Sequence, residues 1–140
     1  MNRKSPVRVV IDTNVWLSGL IFGGKPSNII ELFVDETIIV IVCEELLSEL
    51  RRKIIERFPL YIPSLDLLEA SIRKDAEMIK LGSQTINLSR DTDDNKFIET
   101  AVIGECQFII SGDKDLLDIV GYKDIKIVTP VAFLNLFLYN

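Results

Sequence analysis

A chain of 140 residues suits one domain with one sizeable core, and its 48% apolar and 26% charged residues are a globular composition, not a disordered one. The formal net charge of −5 argues against bulk attraction to nucleic acid, so an enzyme acting there would need a local basic patch or a metal to meet phosphate. There is no histidine, which removes Ser-His-Asp and Cys-His mechanisms and most zinc sites and leaves carboxylates, Lys, Ser, Thr, Tyr or a bound hard cation.

The opening MNRKSPVRVVIDTN has basic residues, but its apolar run breaks at Asp12, so it does not read as a signal peptide. VRVVI at 7–11 is expected to be a strand. Asn14 can cap a helix through VWLSGLIF that ends at Gly23 and Gly24, and Pro26 and Ser27 open a second helix to about Val34. TIIVIV at 37–42 is a continuous β-branched run, the pattern of a strand buried on both faces. The segment around it, IIELFVDETIIVIV, is interrupted by Glu31, Asp35 and Glu36, far short of the run of about 18 residues a membrane span needs. Cys43 and Cys106 form no CxxC pair and read as small buried hydrophobes, which fits a reduced, cytoplasmic compartment.

A helix over about 44–57 carries Leu46, Leu47, Leu50, Ile54 and Phe58 at helical spacing. Pro59 and Pro63 break the chain. A further helix is expected over 64–80, with Leu67, Leu68, Ile72, Ala76 and Ile79 as its stripe and Gly82 as its stop. QTINL at 84–88 reads as a strand of weaker pattern. RDTDD, with Asp91, Thr92 and Asp93 as capping residues, leads into a helix over about 93–104. FIIS at 108–111 is a strand, a short helix starts at Lys114, IKIV at 125–128 is a strand, and Pro130 starts a last helix, VAFLNLFLY. Strands alternate with helices, which predicts a three-layer α/β/α sandwich around a mainly parallel sheet of four to five strands, with residues 1–140 as a single domain. Ligands of such sheets bind beyond the carboxyl ends of the strands.

That rule directs attention to the acids. Asp12 follows the first strand and Asp113 lies two residues past another, although either can simply cap the helix after it. Asp115 falls in the first turn of the short helix. Asp94, Phe97, Ile98 and Ala101 stand at i, i+3, i+4 and i+7, so Asp94 shares an inward face. Glu44, Glu45 and Glu49 begin the helix after the second strand. Spacing does not choose among them, and on a wheel Glu49 points away from the Leu46/Leu50/Ile54 stripe, as a solvated residue would. Two carboxylates about 4 Å apart repel by roughly 4 kcal/mol at an effective dielectric of 20. Several in one pocket therefore call for protonation or for a hard cation such as Mg²⁺ or Mn²⁺, which suits an all-carboxylate site.

The blocks VVIDTNVW, EELLSELRRKI, RDTDDNKFIETA and IISGDKDLL, in this order, resemble the PIN domain, most closely the prokaryotic branch of toxin components related to VapC. The resemblance covers nearly the whole chain, including the closing IVTPVAFLNL. It implies a metal-dependent ribonuclease whose acidic quartet falls on Asp12, Glu49, Asp94 and Asp113, and it thereby selects Glu49 over Glu45. Asn14 and Ser111 match accessory polar positions and Asp115 an accessory acid. Mg²⁺ or Mn²⁺ would sit among Asp12, Asp94 and Asp113, with Glu49 on a second ion or on the attacking water. RNA phosphates would meet Lys25, Arg51, Arg52, Lys53, Lys96 or Lys114, although RRK at 51–53 also reads as a solvated helix face. The resemblance further implies a homodimer and a cognate antitoxin protein laid over the site. The last helix, with Val131, Phe133, Leu134, Leu136, Phe137 and Leu138, has more apolar positions than one stripe needs, unless it is buried in its own core.

A phosphatase with Asp12 as nucleophile would want a second acid two residues on, where Asn14 stands. A receiver domain would want a Lys after the last strand, where Thr129 and Pro130 stand. A catalytically inactive interaction or RNA-binding module of the same fold is the remaining alternative, and the intact quartet argues against it.

Overall fold

The computed structural model describes residues 6–82 and 94–138. The expected strand at 84–88 and the capping residues Asp91, Thr92 and Asp93 lie outside these, as does Tyr139. Four short apolar runs form the central strands: β1 (Arg8–Ile11), β2 (Ile39–Val42), β4 (Phe108–Ile110) and β6 (Ile125–Val128). Two two-residue strands, β3 (Glu77–Met78) and β5 (Gly121–Tyr122), complete a six-stranded sheet of order β3-β2-β1-β4-β6-β5. All neighbouring pairs run parallel except β5 and β6. Val9 of β1 aligns with Val40 on one side and Phe108 on the other.

Side chains alternate across a strand, so a buried parallel sheet needs apolar residues on both faces. Val9 and Ile11 face one apolar layer with Trp16, Phe33, Leu50 and Phe133. Val10 faces the other, with Phe97, Ile98, Ala101 and Ile127. The first layer is built by α1 (Thr13–Ile21), α2 (Gly24–Val34), α3 (Glu44–Arg57), α4 (Ile62–Asp75) and α7 (Pro130–Leu138), and the second by α5 (Asn95–Ile103) and α6 (Lys114–Leu117). The three-layer α/β/α architecture is as expected, with the two shortest strands raising the count to six.

Local departures from expectation have physical causes. Asp12, not Asn14, caps α1, because its carboxylate accepts the Asn14 amide. α2 starts at Gly24, two residues before Pro26, and places the proline in the first turn, where its missing N–H costs nothing. Gly23, at φ 76°, makes the turn between the helices. The helix expected over 64–80 runs from Ile62 to Asp75 instead, after a short 3₁₀ turn at Pro59–Tyr61. Residues 77–78 leave it to pair with β2, and the Ile79 amide donates to the Val42 carbonyl. Its stripe is Leu65, Leu68 and Ile72, and Leu67 is 75% exposed. In α7, Phe133 and Leu134 are buried and Phe137 stacks on Phe133, whereas Val131 and Leu136 are exposed, so its apolar residues divide between the core and the surface. Both cysteines are buried and free.

Candidate active site at the carboxyl ends of the strands

The chain winds from β1 outward to β2 and β3, and then returns to the other side of β1 for β4 and β6. The switch point lies between β1 and β4, where crossovers diverge and open a crevice. Asp12 and Asp113 follow these two strands. The Asp12 amide still donates to the Ile110 carbonyl at 2.9 Å, so the carboxylate is fixed by the end of the ladder.

Asp12 is 3% exposed. Its Oδ1 accepts the Asn14 amide at 2.9 Å and its Oδ2 accepts the Ser111 hydroxyl at 2.6 Å. Ser111 Oγ in turn accepts the Asp113 amide at 2.9 Å, and Asp113 Oδ1 accepts the Asp115 amide at 2.8 Å. Asp12 and Asp113 thus each cap the helix that follows them. Burial pushes the Asp12 carboxyl above its ordinary range. The Ser111 and Asn14 hydrogen bonds and the Lys53 charge pull it back, while the Asp113 charge adds to the rise.

Asp94 stands at the N-cap position of α5 and is 6% exposed, with its Oδ2 sealed from solvent. Phe97, Ile98 and Ala101 are buried on the same face, as the i, i+3, i+4, i+7 pattern predicted. Asp94, Asp113 and Asp115 each offer a carboxylate oxygen, and these three atoms lie within 4.8 Å of one another. A divalent ion bonded at about 2.0–2.6 Å places its ligand oxygens at most about 5 Å apart, so the trio fits Mg²⁺ or Mn²⁺. Asp115, expected as an accessory acid, lies within this cluster. Asp12 lies beside the trio, tied to it through Ser111.

Glu49 is half-buried rather than solvated, because the start of α1 packs over α3. Its Oε2 accepts the Thr13 hydroxyl at 2.8 Å and lies 3.2 Å from Lys96 Nζ, and its Oε1 is 3.7 Å from Lys53 Nζ. Burial opposes its ionisation, but Thr13, Lys96 and Lys53 outweigh burial and hold the carboxyl below its ordinary range. Lys53 Nζ also donates to Asn14 Oδ1 at 3.0 Å. Thr13 was not singled out by sequence; its only signal was its place between Asp12 and Asn14.

The expected phosphate contacts divide. Lys53 and Lys96 reach Glu49. Arg52 is exposed, pairs with Glu56, and lines a groove of about 490 Å³ with Glu44, Glu45, Ser48, Glu49 and Lys96. Arg51 turns to α4 and spends its guanidinium on Asp66 and Glu69. Lys25 and Lys114 are exposed. A second depression of about 260 Å³ is bordered by Asn14, Ser18, Gly112 and Asp113.

A family model described as the PIN domain matches residues 8–115. An uncharacterized protein of Methanocaldococcus jannaschii is 32% identical, over 96% of this chain and 94% of that protein. The crystal structure of VapBC2 from Rickettsia felis bound to a DNA fragment from their promoter has a chain that superposes with a TM-score of 0.57. The match covers 86% of this chain and 97% of that one at 9% identity, which is a likeness of fold. The span matched by the family model holds Asp12, Glu49, Asp94, Asp113 and Asp115, and the chain belongs to the PIN-domain family.

Proposed function

We propose that this chain, as a single domain over residues 1–140, is a metal-dependent endoribonuclease acting as the toxin of a toxin–antitoxin pair. The observation that carries the reading is the gathering of Asp94, Asp113 and Asp115 beside buried Asp12 at the switch point of the sheet. Asp94, Asp113 and Asp115 would hold Mg²⁺ or Mn²⁺, with Asp12 as a fourth negative charge next to them. When bound, such an ion supplies the charge that activates water and steadies the scissile phosphoryl oxygens. The chain's own residues do the positioning. Ser111 fixes Asp12 against Asp113, Asn14 and Thr13 seat Lys53 and Glu49, and Arg52, Lys96 and Ser48 offer the groove to a phosphate backbone. Glu44, Glu45 and Glu49 line the same groove, so phosphate would meet it through Arg52, Lys96 and the bound ion rather than through a net basic patch.

The antitoxin partner is supported by the fold shared with the VapBC2 structure. Exposed Phe22, Leu60 and Leu67 offer apolar surface for that partner or for a second copy in a homodimer. A cytoplasmic site of action accords with the absence, among the described residues, of any helix long and apolar enough to cross a membrane. The test is cleavage of a mixed RNA pool with and without Mn²⁺. Cleavage that requires the ion and is lost in Asp113→Asn is expected. Intact RNA under both conditions would favour the inactive module instead.

A further inference from the structure

We propose that Lys53 and Lys96 are built-in counter-cations of Glu49 that confine the chain to a single divalent ion and stand where a second ion would otherwise sit. The inference rests on the metal-dependent reading above, and it separates Glu49 from the acids that hold the ion. Glu49 is satisfied from within the protein on both oxygens, by the Thr13 hydroxyl and Lys96 Nζ on Oε2 and by Lys53 Nζ on Oε1.

Neither lysine behaves as a solvated surface charge. Their side chains are 17% and 19% exposed, against 58% for Arg52 one residue before Lys53. A lysine normally keeps its ammonium in water, and drawing it inward needs a compensating acceptor. Lys53 has two, Glu49 and the Asn14 side chain, which sits on the turn that carries Asp12. Lys96 lies in the first turn of α5, two residues after Asp94, so the same helix start would deliver one acid to the ion and one base to Glu49. Two ammonium groups hold the Glu49 carboxylate, and of the other acids lining its groove Glu44 is taken by Arg73 while Glu45 is exposed. A second dication there would enter against two ammonium groups, whereas the trio of Asp94, Asp113 and Asp115 offers three negative charges.

In two-ion phosphodiester sites the two cations clamp opposite sides of the reacting phosphate. Here one side of that clamp is covalently part of the chain. Lys53 and Lys96 are positioning residues in this account: they hold Glu49 and set the charge on the groove side of the site, while the ion occupies the other.

The experiment is equilibrium binding of Mn²⁺ to the full chain, with free Mn²⁺ counted by electron paramagnetic resonance and folding checked by circular dichroism. One ion per wild-type chain is expected, and two in the folded double variant Lys53→Gln/Lys96→Gln, since removing two positive charges opens Glu49. A merely structural pair of ion bridges would not change that count. Glu49→Gln should keep the single ion with affinity within about threefold of wild type, whereas Asp113→Asn should weaken it by about tenfold or more, because hard cations depend on carboxylate number. Two ions in the wild type, one in the folded double variant, or loss of the ion in Glu49→Gln overturns the proposal and leaves the nuclease reading standing. No Mn²⁺ bound at millimolar concentration overturns that reading, and the proposal with it.

Discussion

At the scale of single residues, the Ser111 hydroxyl joins two acids that are far apart in sequence, by donating to Asp12 and accepting from the Asp113 amide. Asp12 and Glu49 respond oppositely to pH, and this gives a paired prediction. The folded-state affinity of Asp12 for a proton is raised by burial, so its contribution to stability is full below its unfolded value and is lost as pH rises through the folded one. Asp12→Asn should therefore gain on wild type as pH rises from about 4 to 8 without metal, since Asn caps a helix about as well as Asp. Cleavage should nevertheless be abolished, because the charge beside the trio is gone. For Glu49 burial is outweighed by Thr13, Lys96 and Lys53, so its stabilisation is present above the unfolded value and lost as pH falls through the folded one. Glu49→Gln should lose on wild type at neutral pH and match it in acid. Urea midpoints with chelator across that range check both, and parallel curves for all three proteins would refute both assignments. The acids differed in legibility for a physical reason. Asp12 and Asp113 follow β-branched runs, and Asp94 shares a period with Phe97, Ile98 and Ala101, so local pattern exposes them. Glu49 is turned inward by α1 crossing over α3, and a single-helix wheel carries no record of a neighbouring helix.

At the scale of elements, the α1–α2 pair depends on a close approach. A Cβ at Gly19 would lie 2.5 Å from the Ile30 Cδ1 and 3.0 Å from the backbone carbonyl carbon and oxygen of Pro26. Ile30 can shift its side-chain tip, but the Pro26 backbone is held by the first turn of α2. In an open helix, Gly to Ala gains up to about 1 kcal/mol. Here the sign should reverse, and Gly19→Ala should cost about 1–3 kcal/mol as an overpacked contact. A urea titration decides it, and a midpoint at or above wild type would show that the helices separate without strain. The loss should also reach the site, since α1 carries Thr13 and Asn14. Elements with their own periodicity were readable: β6 lies where IKIV predicted and α3 spans the expected 44–57. β3 and β5 were not, because two-residue ladders are set by the edge they complete. β3 exists because β2 leaves an open edge, and that demand ended α4 at Asp75 although Ala76 and Ile79 continue its stripe.

At the scale of the whole molecule, the site concentrates like charge inside a chain that is already net negative, so metal-free folding is opposed by repulsion that a bound cation relieves. Binding linked only to the folded state should therefore appear as stability. At Mn²⁺ about a hundredfold above its dissociation constant, the gain should be about 2.7 kcal/mol. For a domain of this size each kcal/mol moves the melting temperature by about 3 °C, so a rise of about 8 °C is expected. Asp113→Asn provides the control. If it weakens Mn²⁺ about tenfold, the same concentration stands only about tenfold above its constant, and the gain falls to about 1.4 kcal/mol, or about 4 °C. Arg52→Gln, on the groove but outside the trio, should keep the full rise, since it pairs with Glu56 and not with the acids of the site. Melting curves of the three proteins with chelator and with Mn²⁺ make the comparison. Equal shifts in wild type and Asp113→Asn would mean that the ion stabilises the fold from somewhere else, and the trio would lose its assignment.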